Sequence, residues 1–476
     1  RPKEFFSDSA LFQHIGHLKI PTFIYLWAFY DFIKPNRAYP KELLGDCLPI
    51  FPRQSNLTKD SVFYGWGRKK TGWNAIVLAQ KYHCKFILLE DGFIRSFDLG
   101  IKGSSSFSLV QDEVGIYYDA TSPSALENLL NTYDFKSDSM LINTAKEAME
   151  LVVKHNISKY NCFKEVPQDY FKPCKKRVLI IAQTNKDSSL LYGYGEKFST
   201  KEMIEDAALE NPNAKIYLKI HPDVLSGKRQ SDIETHKIPP FCEVITEDFN
   251  PLSLLKYFSK VYTKTSQMGF EALFVGCECV CYGMPFYAGW GLTIDKQTSP
   301  RRNRKLSLEE VFAASYILYT QYYNPIYQHK SDILDTIHTV IRYKHLYVKT
   351  SHKAYFFGFS YWKHNFIKPF VRNYSPQNLI FINPISASPL EVALKKGLDL
   401  TSDIFIWGRK SFKEVESYAK KNGLTIIRVE DGFIRSLSLG SDLTRPFSLV
   451  FDNIGIYFDP TQPSRLEHIL QNTFFP

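Results

Sequence analysis

The chain has 476 residues, 44% of them hydrophobic, 15% aromatic and 23% charged, a profile that excludes a disordered or fibrous protein and exceeds what one hydrophobic core serves. Lysine and arginine outnumber aspartate and glutamate by 59 to 49, a net charge of +10, which favours phosphate-bearing ligands and anionic surfaces without choosing between them.

In chain order, the first marked element is the apolar stretch from Ile20 to Ile33. Pro21 and Asp31 interrupt it, and it falls short of the ~20 residues of a membrane-spanning helix, so it reads as neither a span nor a signal peptide. Because the chain begins at Arg1 rather than Met, an upstream targeting segment is left open. Leu89 to Asn131 (LEDGFIRSFDLG…) then returns without a gap as Val429 to Gln471 (VEDGFIRSLSLG…), with Glu90 matching Glu430. The tetrapeptide WGRK at Trp66 to Lys69 recurs at Trp407 to Lys410 with a one-residue slip. This is an internal duplication.

Between the copies, Arg177 to Gln183 and Lys215 to Ile220 predict strands. The helix between them, Lys201 to Glu210, carries Met203, Ile204, Ala207 and Ala208 on one side. Lys260 to Lys264 predicts another strand, followed by a helix from Gln267 to Val275 closed by Gly276 and a strand from Glu278 to Tyr282. Cys277, Cys279 and Cys281 alternate along this run. A shared face permits a metal site sterically, but small residues without a neighbouring His pair suit a buried strand. The eight cysteines include no C-x-x-C pair, and a reducing cytoplasm is the simpler expectation.

Strands alternating with helices predict an α/β, Rossmann-like fold of two lobes with a cleft between them. The expected division is an N-terminal extension over 1–56, a first lobe over 57–150, an α/β lobe over 151–345, and an incomplete second copy of the first lobe over 350–476. One working site is expected.

Three segments place polar residues after predicted strands, where an open parallel sheet presents ligands. In QTNKDSS, Gln183 to Ser189, Asp187 and Ser188 either face the cleft or cap a helix. In KIHPD, Lys219 to Asp223, Pro222 stiffens a turn in which His221 and Lys219 either clamp phosphate charge or are structural. In KTSQMGFEAL, Lys264 to Leu273, Thr265 and Ser266 open a helix whose N–H groups attract phosphate, or are ordinary caps. Glu271, one turn in, accepts ribose hydroxyls or lies solvated on the helix surface. In the opposite lobe Glu90 or Asp91 is the candidate base, Glu90 preferred. Both recur in the second copy, which equally supports turn formation or pairing with Arg95. Arg95 is an alternative clamp for a carboxylate.

These residues resemble the capsule polysaccharide biosynthesis family, specifically KpsC-type retaining β-Kdo transferases, over nearly all of the chain after about Ser61. The markers are EDGFIRS at Glu90 to Ser96, GIYYDATSPSALE at Gly115 to Glu127, QTNKDSS at Gln183, HPD at His221, TSQMGFEAL at Thr265 and PFYAGWGLT at Pro285 to Thr293. The resemblance implies a GT-B-like glycosyltransferase with CMP-β-Kdo as donor and no metal or other cofactor. It implies that CMP is held by the His221–Pro222 turn, Thr265, Ser266 and Glu271, with Asp187 at the nucleophile position, and Gln183, Ser188, Lys219 and Gly269 of the same segments are further candidate substrate-binding residues. Its implied partners are a phosphatidylglycerol-linked Kdo acceptor and other capsule biosynthesis and export proteins, not nucleic acid. Its implied place is the cytoplasm, peripheral to the inner membrane. The family's alternation between two complete modules is in doubt here, because the second copy lacks a donor lobe.

The chemistry of the residues agrees with this. Retention needs two displacements, and a carboxylate such as Asp187 divides the reaction through a glycosyl adduct. CMP departs as a phosphate monoester needing donors rather than a strong acid, and no D-x-D motif occurs in the chain. Two other readings stand beside it: a non-catalytic scaffold for capsule assembly, and an inverting transferase using another nucleotide sugar.

Overall fold

The computed structural model describes residues 21–24, 48–50, 61–99, 104–185, 187–220, 231–233, 235–383, 387–437 and 444–473. The chain divides into two compact units, Arg1–Lys344 and His345–Pro476.

The first unit holds two sheets. One is wholly parallel, in the order Ile294–Asp295, Glu278–Cys281, Lys260–Thr263, Arg177–Ile181, Lys215–Lys219, Cys242–Ile245. Its strands are short apolar runs because both faces are covered. Val178 and Ile180 pack on one face with Met203, Ile204 and Ala207 of the helix Thr200–Glu210. Leu179 and Ile181 pack on the other with Leu254, Leu255 and Val261. The helix Thr200–Glu210 starts at a capping box between Ser199 and Glu202. Gly276 takes the left-handed conformation (φ +78°) just beyond the helix Gln267–Phe274, the geometry that lets the chain turn at once into Glu278–Cys281. Cys277, Cys279 and Cys281 are all buried, the packing role expected of a strand.

The chain enters this sheet at Arg177–Ile181, proceeds outward through Lys215–Lys219 and Cys242–Ile245, and returns to the other side at Lys260–Thr263. The strand order therefore reverses between Arg177–Ile181 and Lys260–Thr263, and a crevice opens outside their carboxyl ends.

The other sheet corrects two expected boundaries. Its order is His329–Ser331, Thr320–Asn324, Ser108–Asp112, Lys85–Asp91, Val62–Trp66, Pro21–Ile24, Leu48–Ile50. Pro21–Ile24 and Leu48–Ile50 are parallel to Val62–Trp66, so the region expected as an extension over 1–56 supplies two strands of the first lobe. Thr320–Asn324 pairs antiparallel with Ser108–Asp112, so the end of the expected α/β lobe over 151–345 crosses back to the first. Edge pairing of this kind satisfies backbone groups across more than 200 residues and leaves no local periodic trace.

The second unit repeats this first lobe. Its sheet runs Leu379–Ile382, Ala354–Phe357, Asp403–Trp407, Ile426–Asp431, Leu449–Asp452, parallel except for the last antiparallel pair. That is the same order as Leu48–Ile50 through Ser108–Asp112, so the repeat extends beyond the aligned sequence. In the first unit Phe93 and Phe97 are 1% and 4% exposed, and the Phe93 ring lies 4.9 Å from Phe286 and 4.8 Å from Tyr316. Their counterparts Phe433 and Leu437 are 73% and 91% exposed.

No helix among the described residues is long and apolar enough to cross a membrane.

Candidate active site

The crevice at the strand-order reversal continues into a cleft of about 1080 Å³ between the two sheets of the first unit. Glu90, Tyr117, Lys159, Asp187, Lys219 and Glu271 are among the groups that line it. Gln183 follows Arg177–Ile181 and Thr265 follows Lys260–Thr263, so the reversal brings them together across 82 residues. The Thr265 N–H donates to Gln183 Oε1 (2.8 Å), Gln183 Nε2 donates to Thr265 Oγ1 (3.0 Å), and Ser189 Oγ lies 2.9 Å from the same Oγ1. Ser266 caps the helix Gln267–Phe274, accepting from the Met268 N–H. Its open N-terminus faces the cleft and attracts anionic ligands.

Glu271 is buried at the back of the cleft rather than solvated on its helix. Its Oε1 accepts from Ser158 Oγ (2.7 Å) and Gln267 Nε2 (3.3 Å). Burial pushes its pKa up to about 7, against the lowering effect of Ser158, Gln267 and the Lys159 main chain and ammonium. Asp187 caps the short helix Ser188–Tyr192, its Oδ1 accepting from the Ser189 N–H at 2.9 Å. The cap and the cleft-facing position coexist, because Asp187 and Ser188 both line the cleft. Lys219 lines it as well, with Nζ donating to Glu247 O (2.7 Å) and standing 3.7 Å from Asp248 Oδ1. His221 and Pro222 lie outside the described residues.

From the first lobe, Glu90 faces the cleft at the end of Lys85–Asp91. Trp66 Nε1 donates to its Oε1 (2.9 Å), and burial raises its pKa while Lys69 and Lys159 oppose the shift. Asp91 is committed elsewhere, accepting from Arg95 Nε at 2.9 Å. Arg95 itself is buried, donating also to Ser96 Oγ and Ser104 O, and does not line the cleft. The second copy reproduces the pair, Arg435 Nε to Asp431 Oδ2 at 2.7 Å, which marks it as a structural clamp on the turn rather than a ligand hook. Gly269 is likewise away from the cleft. It is buried, and a Cβ there would collide with the Tyr287 hydroxyl, which donates to Ser266 O at 2.6 Å.

Two groups of consequence were not singled out from the sequence. Lys159 lines the cleft between Glu90 and Glu271. Burial opposes its charge, but Tyr117, Tyr160, Asp91 and Glu90 more than offset this and hold its pKa above the ordinary lysine value. Glu127 closes the lobes: Arg301 Nε donates to it at 2.5 Å and Arg302 Nε at 3.0 Å, with Glu127 buried. The signal for Glu127 was its place in the GIYYDATSPSALE marker. Its counterpart Glu467 is exposed and turns back to the Ser464 N–H (2.7 Å) in a capping box.

The sequence matches the family described as capsule polysaccharide biosynthesis protein over residues 62–323 and 402–475. The capsule polysaccharide modification protein LipA of Neisseria meningitidis serogroup A is 39% identical over 447 residues, 91% of this chain. The chain spans 62% of that relative's length. The lipopolysaccharide-processing protein LpsZ of Rhizobium meliloti is 38% identical over 53% of the chain. Among solved structures, the β-Kdo 2,4 transferase of Thermosulfurimonas dismutans KpsC matches with a TM-score of 0.62 and 39% identity, covering 69% of this chain and 99% of that one. Its β-Kdo 2,7 transferase matches at 0.52 and 30%, covering 68% and 100%. Matched across both copies of its repeat and along nine-tenths of its length, the chain belongs to the capsule polysaccharide biosynthesis family.

Proposed function

We propose that the first unit is a retaining β-Kdo transferase that moves Kdo from CMP-β-Kdo to a Kdo-primed glycolipid of capsule assembly, working at the cytoplasmic membrane surface. The observation that carries this reading is the cleft itself. Asp187 and Glu271 from the parallel sheet and Glu90 from the other lobe line one cavity, at a strand-order reversal of the kind that binds nucleotides. The similarity to two Kdo transferase domains over essentially their whole length supports it.

In this reading the CMP phosphate lies toward Thr265, Ser266 and the helix N-terminus, and Glu271 lies at the back of the same pocket. The Asp187 carboxylate attacks the anomeric carbon as the bond from that carbon to the phosphate oxygen breaks, and CMP leaves with the bonding pair. The cap uses Asp187 Oδ1, and Oδ2 has no hydrogen bond among the described residues. Glu90 then takes the proton of the acceptor hydroxyl, whose oxygen displaces the Asp187 carboxylate. Two inversions return the original configuration. A raised carboxylate pKa suits a base working near neutrality.

The test is incubation with CMP-Kdo and a Kdo-primed glycolipid, followed by mass spectrometry. The expected product is the acceptor heavier by one Kdo in the β configuration. An unchanged acceptor, together with no binding of CMP, refutes the reading.

A further inference from the structure

The cleft is lined by three ammonium groups, and they differ in what they already hold. Lys219 is engaged by Glu247 O and Asp248. Lys69 stands 6.0 Å from the centre of the Trp66 ring. Lys159 makes no ion pair with any carboxylate among the described residues, although it is partly buried. Tyr117, Tyr160, Asp91 and Glu90 favour its charged form without any of these carboxylates closing on it as an ion pair, so the ammonium stays charged with its donors open to a ligand anion.

Its main chain is braced on the first lobe, and its neighbour Ser158 is tied to Glu271. The Lys159 carbonyl accepts from the N–H groups of Arg95 (3.0 Å) and Ser96 (3.2 Å), and Ser158 Oγ donates to Glu271 Oε1 (2.7 Å). Asn161 completes the brace, donating to Ser96 O (3.1 Å) and Ser158 O (2.9 Å). A braced main chain thus carries a long cation, without a carboxylate ion pair among the described residues, into the cleft that Glu90 and Glu271 also line.

Position decides which anion it meets. The helix N-terminus at Ser266 and the Gln183–Thr265 pair form the phosphate side of the pocket. Lys159 sits on the side of Glu90 and Tyr117, where the transferred sugar meets its acceptor. We propose that Lys159 binds the carboxylate of the transferred sugar and so selects acidic over neutral sugars. This rests on the reading of the cleft as a Kdo transfer site.

The experiment measures binding of CMP, CMP-Kdo and the C1 carboxamide of CMP-Kdo to the full chain and to its Lys159→Met and Lys159→Arg variants. A charge-assisted pair predicts that Lys159→Met weakens CMP-Kdo about 10- to 100-fold and leaves CMP within about twofold. The carboxamide should bind wild type and Lys159→Met alike, and Lys159→Arg should restore part of the CMP-Kdo affinity. Retained CMP binding reports that the variant is folded. Unchanged CMP-Kdo affinity in Lys159→Met overturns the assignment alone. Parallel loss of CMP also overturns it, placing the lysine at the phosphate or in the fold. A wild type that binds CMP-Kdo no better than CMP, and transfers nothing, overturns the transferase reading with it.

Discussion

Glu271 offers a test of the site that needs no substrate. Its carboxyl is buried, and its pKa in the folded chain is about 7 against an ordinary 4.5, with burial the leading cause. Between these two values the folded chain binds a proton that the unfolded chain has released. The neutral group's contribution is therefore complete below about pH 4.5, falls as pH rises, and is gone above about pH 7. Each tenfold difference in proton affinity between the folded and unfolded chain is worth about 1.36 kcal/mol, so the loss between pH 5 and pH 8 is about 2–3 kcal/mol. Glu271→Gln keeps the shape and an oxygen to accept from Ser158, but it cannot ionise. Wild type and variant should be unfolded in urea from pH 5 to pH 8, transition by transition, because a chain of two units need not unfold as one. The stability of the variant relative to wild type should climb by about 2–3 kcal/mol toward pH 8. A difference that stays flat, or runs the other way, refutes the claim that this carboxyl is held neutral in the fold.

Asp187→Asn keeps a good helix cap, so stability should change by less than about 0.5 kcal/mol while transfer falls by orders of magnitude and CMP still binds. Wild type given CMP-Kdo without acceptor should gain the mass of one Kdo on the peptide around Asp187, and a near-normal rate in the variant eliminates the adduct. Glu127→Gln leaves the buried Arg302 and the half-buried Arg301 without their counter-charge and should cost about 3–5 kcal/mol in calorimetry. The same change at exposed Glu467 should cost less than about 0.5 kcal/mol, since glutamine also closes a capping box, and equal effects would sink the distinction. Phe97→Lys, which buries a charge, should destabilise the first unit by more than about 3 kcal/mol. Leu437→Lys at an exposed position should shift stability by less than about 0.5 kcal/mol.

Four of the six strands of the parallel sheet, Arg177–Ile181, Lys215–Lys219, Lys260–Thr263 and Glu278–Cys281, were legible as short apolar runs, whereas Cys242–Ile245 and the two-residue Ile294–Asp295 were not read from the sequence. The helix Thr200–Glu210 was legible because its buried residues share one side. The predicted elements each agree with the structure to within two residues at either end. The crevice residues were legible for a related reason: Gln183, Lys219 and Thr265 each follow a recognisable strand, and a parallel sheet turns all its carboxyl ends the same way. Glu271 was found by the same reasoning, but its burial was not, because the chain that covers it comes from Ser158, more than 100 residues away.

From sequence alone came the duplication, the two-lobed α/β class, the family resemblance and the segments that meet at the crevice. The duplication is written in self-similarity, the fold class and the crevice segments in local periodicity, and the resemblance in six short motifs taken in order. Tertiary structure alone decided that Glu90 rather than Asp91 faces the cleft, that Arg95 is spent on Asp91, and that Glu127 clamps the lobes while Glu467 caps a helix. It also decided that Pro21–Ile24 and Thr320–Asn324 belong to one sheet, and that Lys159 lines the cleft without a carboxylate ion pair among the described residues. An ionisable side chain takes its role from the partners and solvent around it. Here those partners lie as much as 175 residues away, at distances that exist only once the two sheets have closed on each other.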